Sequence, residues 1–155
     1  MNDSPAAAKS PQIQLYCHHP DCAAASDEVI AKWQVLSAKA LPACLAAICE
    51  TDAPLSTLEE IEVSLVTDEA IALVHADYLN DPTPTDVITF HHGEILVSLD
   101  TAAQQSILHG ETFEREVLLY IIHGLLHLGG WDDHEEAQRV DMHLLQARIL
   151  NDVWA

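Results

Sequence analysis

The chain has 155 residues, 49% of them hydrophobic, and 25 acidic side chains against 6 basic ones give it a formal charge of −19. That length and apolar content predict one folded domain with a sizeable core and exclude a disordered chain. A surface this negative repels phosphate backbones and anionic lipids, which excludes generic coating of nucleic acid or membrane.

The start, MNDSPAAAKS, is polar and Ala-rich, and residues 1–11 read as a loose arm before a short strand through Ile13, Leu15 and Cys17. It lacks a basic leader with an apolar segment, and no apolar run of about 18 residues follows, so a cytoplasmic setting is expected. Residues 26–48 carry a helical apolar pattern that Pro42 interrupts, predicting two pieces or one kinked helix. IEVSLV at 61–66 alternates as a half-buried strand, and a helix follows from the Asp68 region to Tyr78.

NDPTP at 80–84 is turn material leading into a strand at 87–90. Four residues later a second strand, 95–99, can close a hairpin. A helix then runs from Asp100 to His109, stopped by Gly110. Residues 112–128 are apolar nearly all round, the pattern of a helix buried on most sides, and Gly129 and Gly130 end it. A last helix over 135–150 places Ala137, Val140, Leu144 and Ala147 on one stripe. The four cysteines, Cys17, Cys22, Cys44 and Cys49, read as thiols, because a chain this long needs no staples and their spacings suit no zinc site.

Chemistry concentrates at the end of the buried helix. His123 and His127 are four residues apart and share one helical face, separated by about 6 Å along the axis, so two imidazoles can converge on one ion. Left unpaired among apolar neighbours both would cost desolvation, and one shared metal satisfies them together. The glycines permit a sharp return through Trp131, so that Asp133 or His134 supplies a third ligand and water takes the fourth position. Three-histidine zinc sites favour His134. Zinc proteases of the HExxH type carry a glutamate base after the first histidine, whereas Gly124 stands there in this chain, against a peptidase mechanism.

HGLLHLGGWDDH, at 123–134, resembles the HGxLHLxGxDH signature of the YbeY family of metal-dependent, single-strand-specific endoribonucleases. PTDVITF at 84–90 resembles the family's PTDVLSF segment, and GEILVSLDTA at 93–102 its GDIxISxDTA segment. The resemblance implies an α+β fold, with a small mixed β-sheet packed against helices and the metal-binding motif beginning on a buried helix. It also implies a zinc-dependent hydrolase with single-stranded or ribosomal RNA as substrate, and the ribosome or assembly factors as partners. It assigns His123 and His127 as ligands. The family's third histidine stands ten places after the first, where this chain has Asp133, and His134 comes one place later. The expected site is therefore His123, His127 and His134, with an added residue absorbed by the glycine turn. Asp133 then orients or deprotonates the attacking water; the alternative is a two-His-one-Asp site.

Arg115, in an Arg-Glu pair that the family often carries, is expected either to meet phosphate or to support its helix end. Thr85 and Asp86 are expected either to order the cleft wall or the metal's surroundings or to be ordinary turn material after a proline, and Trp131 to pack the loop or stack a base. Leu79 replaces the arginine that many family members carry after the tyrosine, which removes a cationic RNA contact. With six basic residues in all, RNA binding by the chain alone is expected to be weak. A metallopeptidase and a noncatalytic, metal-stabilised ribosome-assembly protein are the competing functions.

Overall fold

Residues 10–154 are described by a computed structural model, and the expected N-terminal arm falls almost entirely outside them. The strands are β1 (Gln12–Cys17), β2 (Glu60–Val66), β3 (Val87–Phe90) and β4 (Glu94–Ser98); the helices are α1 (Asp27–Ala46), α2 (Asp68–Leu79), α3 (Leu99–His109), α4 (Phe113–Leu128) and α5 (Glu136–Val153). A 3-10 turn, Pro54–Ser56, leads into β2.

The four strands lie in the order β1-β2-β4-β3, with β1, β2 and β4 parallel and β3 antiparallel to β4. Parallel neighbours need a crossover, supplied by α1 between β1 and β2 and by α2 with β3 between β2 and β4. Side-chain alternation then sorts the apolar residues between two faces. Val63, Leu65, Ile95 and Val97 join the main core with α1, α4 and α5, while Val66, Ile88 and Leu96 form a smaller core with Ile71 of α2. This is the expected α+β mixed sheet.

Side chains close the starts of α1 to α4: Ser26, Thr67, Ser98 and Thr112 each accept the amide three residues on, from Val29, Ala70, Thr101 and Arg115. Thr112 therefore caps α4 although position 115 is arginine rather than the glutamate of a capping box. α4 runs through the middle of the core, with Val117, Leu118, Ile121, Ile122, Leu125, Leu126 and Leu128 fully buried. Only its histidines open the C-terminal half to solvent.

The structure bears on two expectations about helices. α1 is one 20-residue helix with Pro42 inside it rather than two pieces, and its buried residues, Trp33, Leu36, Ala40, Leu41 and Cys44, fall on both sides of the proline. On α5 the expected stripe of Ala137, Val140, Leu144 and Ala147 faces solvent, and Met142, Gln146, Ile149 and Leu150 face the core instead. The inner stripe contains a glutamine, so the apolar pattern alone points to the wrong face.

Candidate metal centre

α4 carries His123 and His127 to the rim of the core, and each ring is fastened through Nδ1. His123 Nδ1 donates to Gln146 Oε1 on α5 at 2.8 Å, and His127 Nδ1 donates to the Trp131 carbonyl oxygen at 2.8 Å. These bonds set the tautomers, so both Nε2 lone pairs turn inward. Burial first, then the neighbouring His123, push the His127 imidazole below its ordinary pKa, which keeps it neutral and ready to ligate.

The two Nε2 atoms stand 3.0 Å apart, with His123 Nε2 at 3.6 Å from Asp133 Oδ2 and His127 Nε2 at 3.8 Å from Asp133 Oδ1. Two lone pairs and a carboxylate crowded together repel unless a cation lies among them. A tetrahedral ion with bonds of about 2.0–2.1 Å needs ligand atoms about 3.3 Å apart, close to the edges of this triangle. The donor set thus fits zinc, and His123, His127 and Asp133 form a metal-capable group.

His134, expected as the third ligand, is not brought to the pair. Its side chain is 87% exposed, its Nε2 lies 3.5 Å from Asp132 Oδ1, and its amide is tied to that same oxygen at 3.0 Å. It shares a second acidic group with Asp132 and Asp133 on the outer side of the turn. The reason lies in the return loop, which has no slack for an added residue. The Gly129 amide bonds the Leu125 and Leu126 carbonyls, Gly130 bonds His127, and Trp131 bonds Leu126. Gly130 sits at φ +99, where a side chain would also meet Glu50. Trp131 is pinned again by its indole N–H on the Ala47 carbonyl at 2.8 Å, so the chain reaches the triangle two residues later, at Asp133.

Two hollows meet at this triangle. One, of about 720 Å³, runs along β3 past Thr89 and His91 toward Leu79. The other, of about 690 Å³, lies between α3, α4 and α5 and is lined by Glu116, Tyr120 and His143. His123, Asp133, Thr85 and Asp86 line both, which places the expected Thr85–Asp86 wall where the hollows join. Asp86 Oδ1 accepts the Val87 amide at 2.8 Å and so shapes the loop entering β3. Among the described residues, no lysine or arginine lines either hollow.

Arg115 stays at the far end of α4, where it bonds Asn151 at 2.9 Å and Glu111 at 3.2 Å and lies over the Trp154 ring. That is helix-end support, well away from the triangle. Trp131 packs on the core and lines the first hollow. The four cysteines are free thiols. Gln146, which sequence reasoning missed, is signalled only by its phase, four residues after Met142 and three before Ile149 on the inner stripe.

Comparison with known proteins identifies the family. A family model described as Endoribonuclease YbeY matches residues 26–154. A relative from Acholeplasma laidlawii, named Endoribonuclease YbeY, is 38% identical over 101 residues, covering 60% of this chain and 74% of its own. One of the same name from Heliobacterium modesticaldum is 34% identical over 146 residues, covering 79% and 84%. The solution structure of a Thermotoga maritima protein shares the fold at a TM-score of 0.58 and 24% identity, over 92% of this chain and 89% of that one. Since the family match runs from the residue that caps α1 to the end of the described chain, and takes in both histidines and Asp133, the chain belongs to the YbeY family.

Proposed function

We propose that this chain is a zinc-dependent endoribonuclease that cleaves single-stranded RNA during ribosomal RNA maturation or quality control in the cytoplasm. His123, His127 and Asp133 are its protein ligands. The carrying observation is the ligand triangle at the junction of two open hollows, in a chain whose relatives are named endoribonucleases. His134 is left outside this ligand set on the geometry of the turn.

When bound there, zinc supplies Lewis acidity, lowering the pKa of water and polarising a phosphoryl oxygen. The chain's own groups supply the rest. Gln146 and the Trp131 carbonyl hold the imidazoles with their Nε2 atoms inward, so no reorientation is needed on binding. Asp133, spent as a ligand, lowers the net charge of the site below that of a three-histidine centre and is not the free proton acceptor first expected. Thr85 and Asp86 line both hollows, and a strand running from one to the other would carry one phosphate past the triangle. A peptidase reading lacks its carboxylate: position 124 is glycine and faces Ile95 with no room for a side chain.

The test is cleavage of an unstructured RNA by the purified chain, with zinc and with a chelator. Cleavage that requires metal and is lost in H123A and H127A is expected; activity surviving in those variants refutes the site. Zinc stoichiometry separates the third ligand. D133A is expected to lose zinc while H134A retains it, and the reverse result returns the ligand to His134.

A further inference from the structure

With a charge of −19 and, among the described residues, no lysine or arginine along its cleft, the chain needs contacts beyond side-chain cations on phosphate to hold an RNA strand. The β3 end of the cleft carries a different kind of surface. Tyr78, the last but one residue of α2, meets the Phe90 ring edge-on at 5.1 Å, and Phe90 stacks on His92 at 5.5 Å with 15° between planes. Three rings therefore stand in a row across the end of the β3–β4 hairpin.

The row is rigid in the middle and open at its ends. Phe90 packs against the small core of Val66, Ile71, Ile88 and Leu96, while Tyr78 is 70% exposed and the His92 side chain is also 70% exposed. The backbone beneath Tyr78 is set by Asn80, which closes α2 in the left-handed conformation. Aromatic residues are scarce here: two Phe, three Tyr and three Trp in the whole chain. Trp33 and Trp131 spend their indole N–H groups inside the fold. At the hairpin end, by contrast, His92 Nε2 lies 3.5 Å from Glu94 Oε1 at the surface, and its ring face remains open.

Leu79 and His91, the neighbours of Tyr78 and of both Phe90 and His92, line the metal cleft. The rings themselves stand outside that lining, His92 bordering a separate hollow beside Glu62 and Glu94, so a strand followed along β3 from the triangle reaches the cleft's edge one residue from each ring. Unpaired bases stack on aromatic faces whatever their identity, so such a surface supplies affinity where cations are missing.

We propose that Tyr78, Phe90 and His92 form a platform on which an unpaired nucleobase of the RNA stacks as the strand leaves the metal cleft. The proposal rests on the endoribonuclease reading, and the following experiment separates the two. Steady-state cleavage by the zinc-loaded full chain is measured on an unstructured oligoribonucleotide, and on the same oligonucleotide carrying a single abasic site, moved through successive positions on each side of the cut. Y78A is expected to raise KM about 5- to 150-fold, the range of one lost base stack, with zinc stoichiometry unchanged. Y78F keeps the ring and is expected to retain the original KM; H92A raises KM in the same direction as Y78A. One abasic position should raise KM for the wild type by a similar factor and add nothing further in Y78A. An unaltered KM in Y78A, or the same abasic penalty in both proteins, overturns the platform while leaving the nuclease standing. Absence of metal-dependent cleavage by the wild type overturns both.

Discussion

Adding one carbon at Gly124 tests how the core sets the metal site. A Cβ there would lie 2.8 Å from Ile95 Cγ2 and 3.0 Å from Ile95 Cδ1, against ordinary carbon contacts of about 3.5–4.0 Å. Ile95 is fully buried in β4, in the sheet interior, and has no solvent to swing into. Alanine for a mid-helix glycine gains about 1 kcal/mol of helix propensity. Overpacking a filled core costs about 1–3 kcal/mol, so G124A is expected to be less stable by about 0–2 kcal/mol. In an I95A background, itself destabilised by about 2–5 kcal/mol, the clashing atoms are gone and the same change should stabilise by about 1 kcal/mol. Urea denaturation of the four proteins should thus give a coupling of about 1–3 kcal/mol. Because His123 precedes Gly124 on α4, zinc affinity should fall in G124A and recover in the double variant. Equal stabilisation by G124A in both backgrounds would refute the reasoning.

Three more outcomes follow from other contacts. Q146L should release His123 Nδ1 and weaken zinc binding about 10- to 100-fold in a chelator competition, while Q146E, which keeps an acceptor, should restore most of it. In native protein at pH 8, a thiol reagent should modify the exposed Cys17 and Cys49 first and leave Cys44, buried on α1 with its thiol pushed up to about 12, until unfolding. Asp100 is raised by burial, yet the Asp68 amide and His19 more than offset this and hold its carboxyl below its ordinary value. Its stabilisation is therefore present above the unfolded carboxylate value of about 4 and lost as pH falls through the lower folded one. The stability gap between wild type and D100N, under about 1 kcal/mol for a part-exposed group, should close over that acid range in denaturant titrations.

Much of this architecture can be read from the residues. The hairpin of β3 and β4, the caps at Thr112 and near Asp68, and the buried character of α4 follow from alternation, turn chemistry and all-round hydrophobicity. Strand order does not, because parallel pairing of β1, β2 and β4 is decided by which helix covers which face. At the site, the i, i+4 histidines declare themselves through helix geometry alone. The third ligand does not, because spacing along a chain says nothing about slack. Whether residue 133 or 134 reaches the pair depends on the hydrogen bonds of 129–131 and on the Trp131 indole, and the indole's bond to Ala47 exists only once the end of α1 has packed beside the turn. Gln146 stayed hidden for a related reason: its partner is 23 residues away on another helix.

The side chain of Gln34, on α1, bonds the backbone of β1 twice, accepting from the Leu15 amide at 3.0 Å and donating to the Ile13 carbonyl. It does for the outer strand what a fifth strand would do. One rim of the sheet is thereby sealed against pairing with another chain. The opposite rim, β3, pairs only with β4 among the described residues and borders the metal cleft. Whatever docks along this sheet is directed to the side where the histidines are.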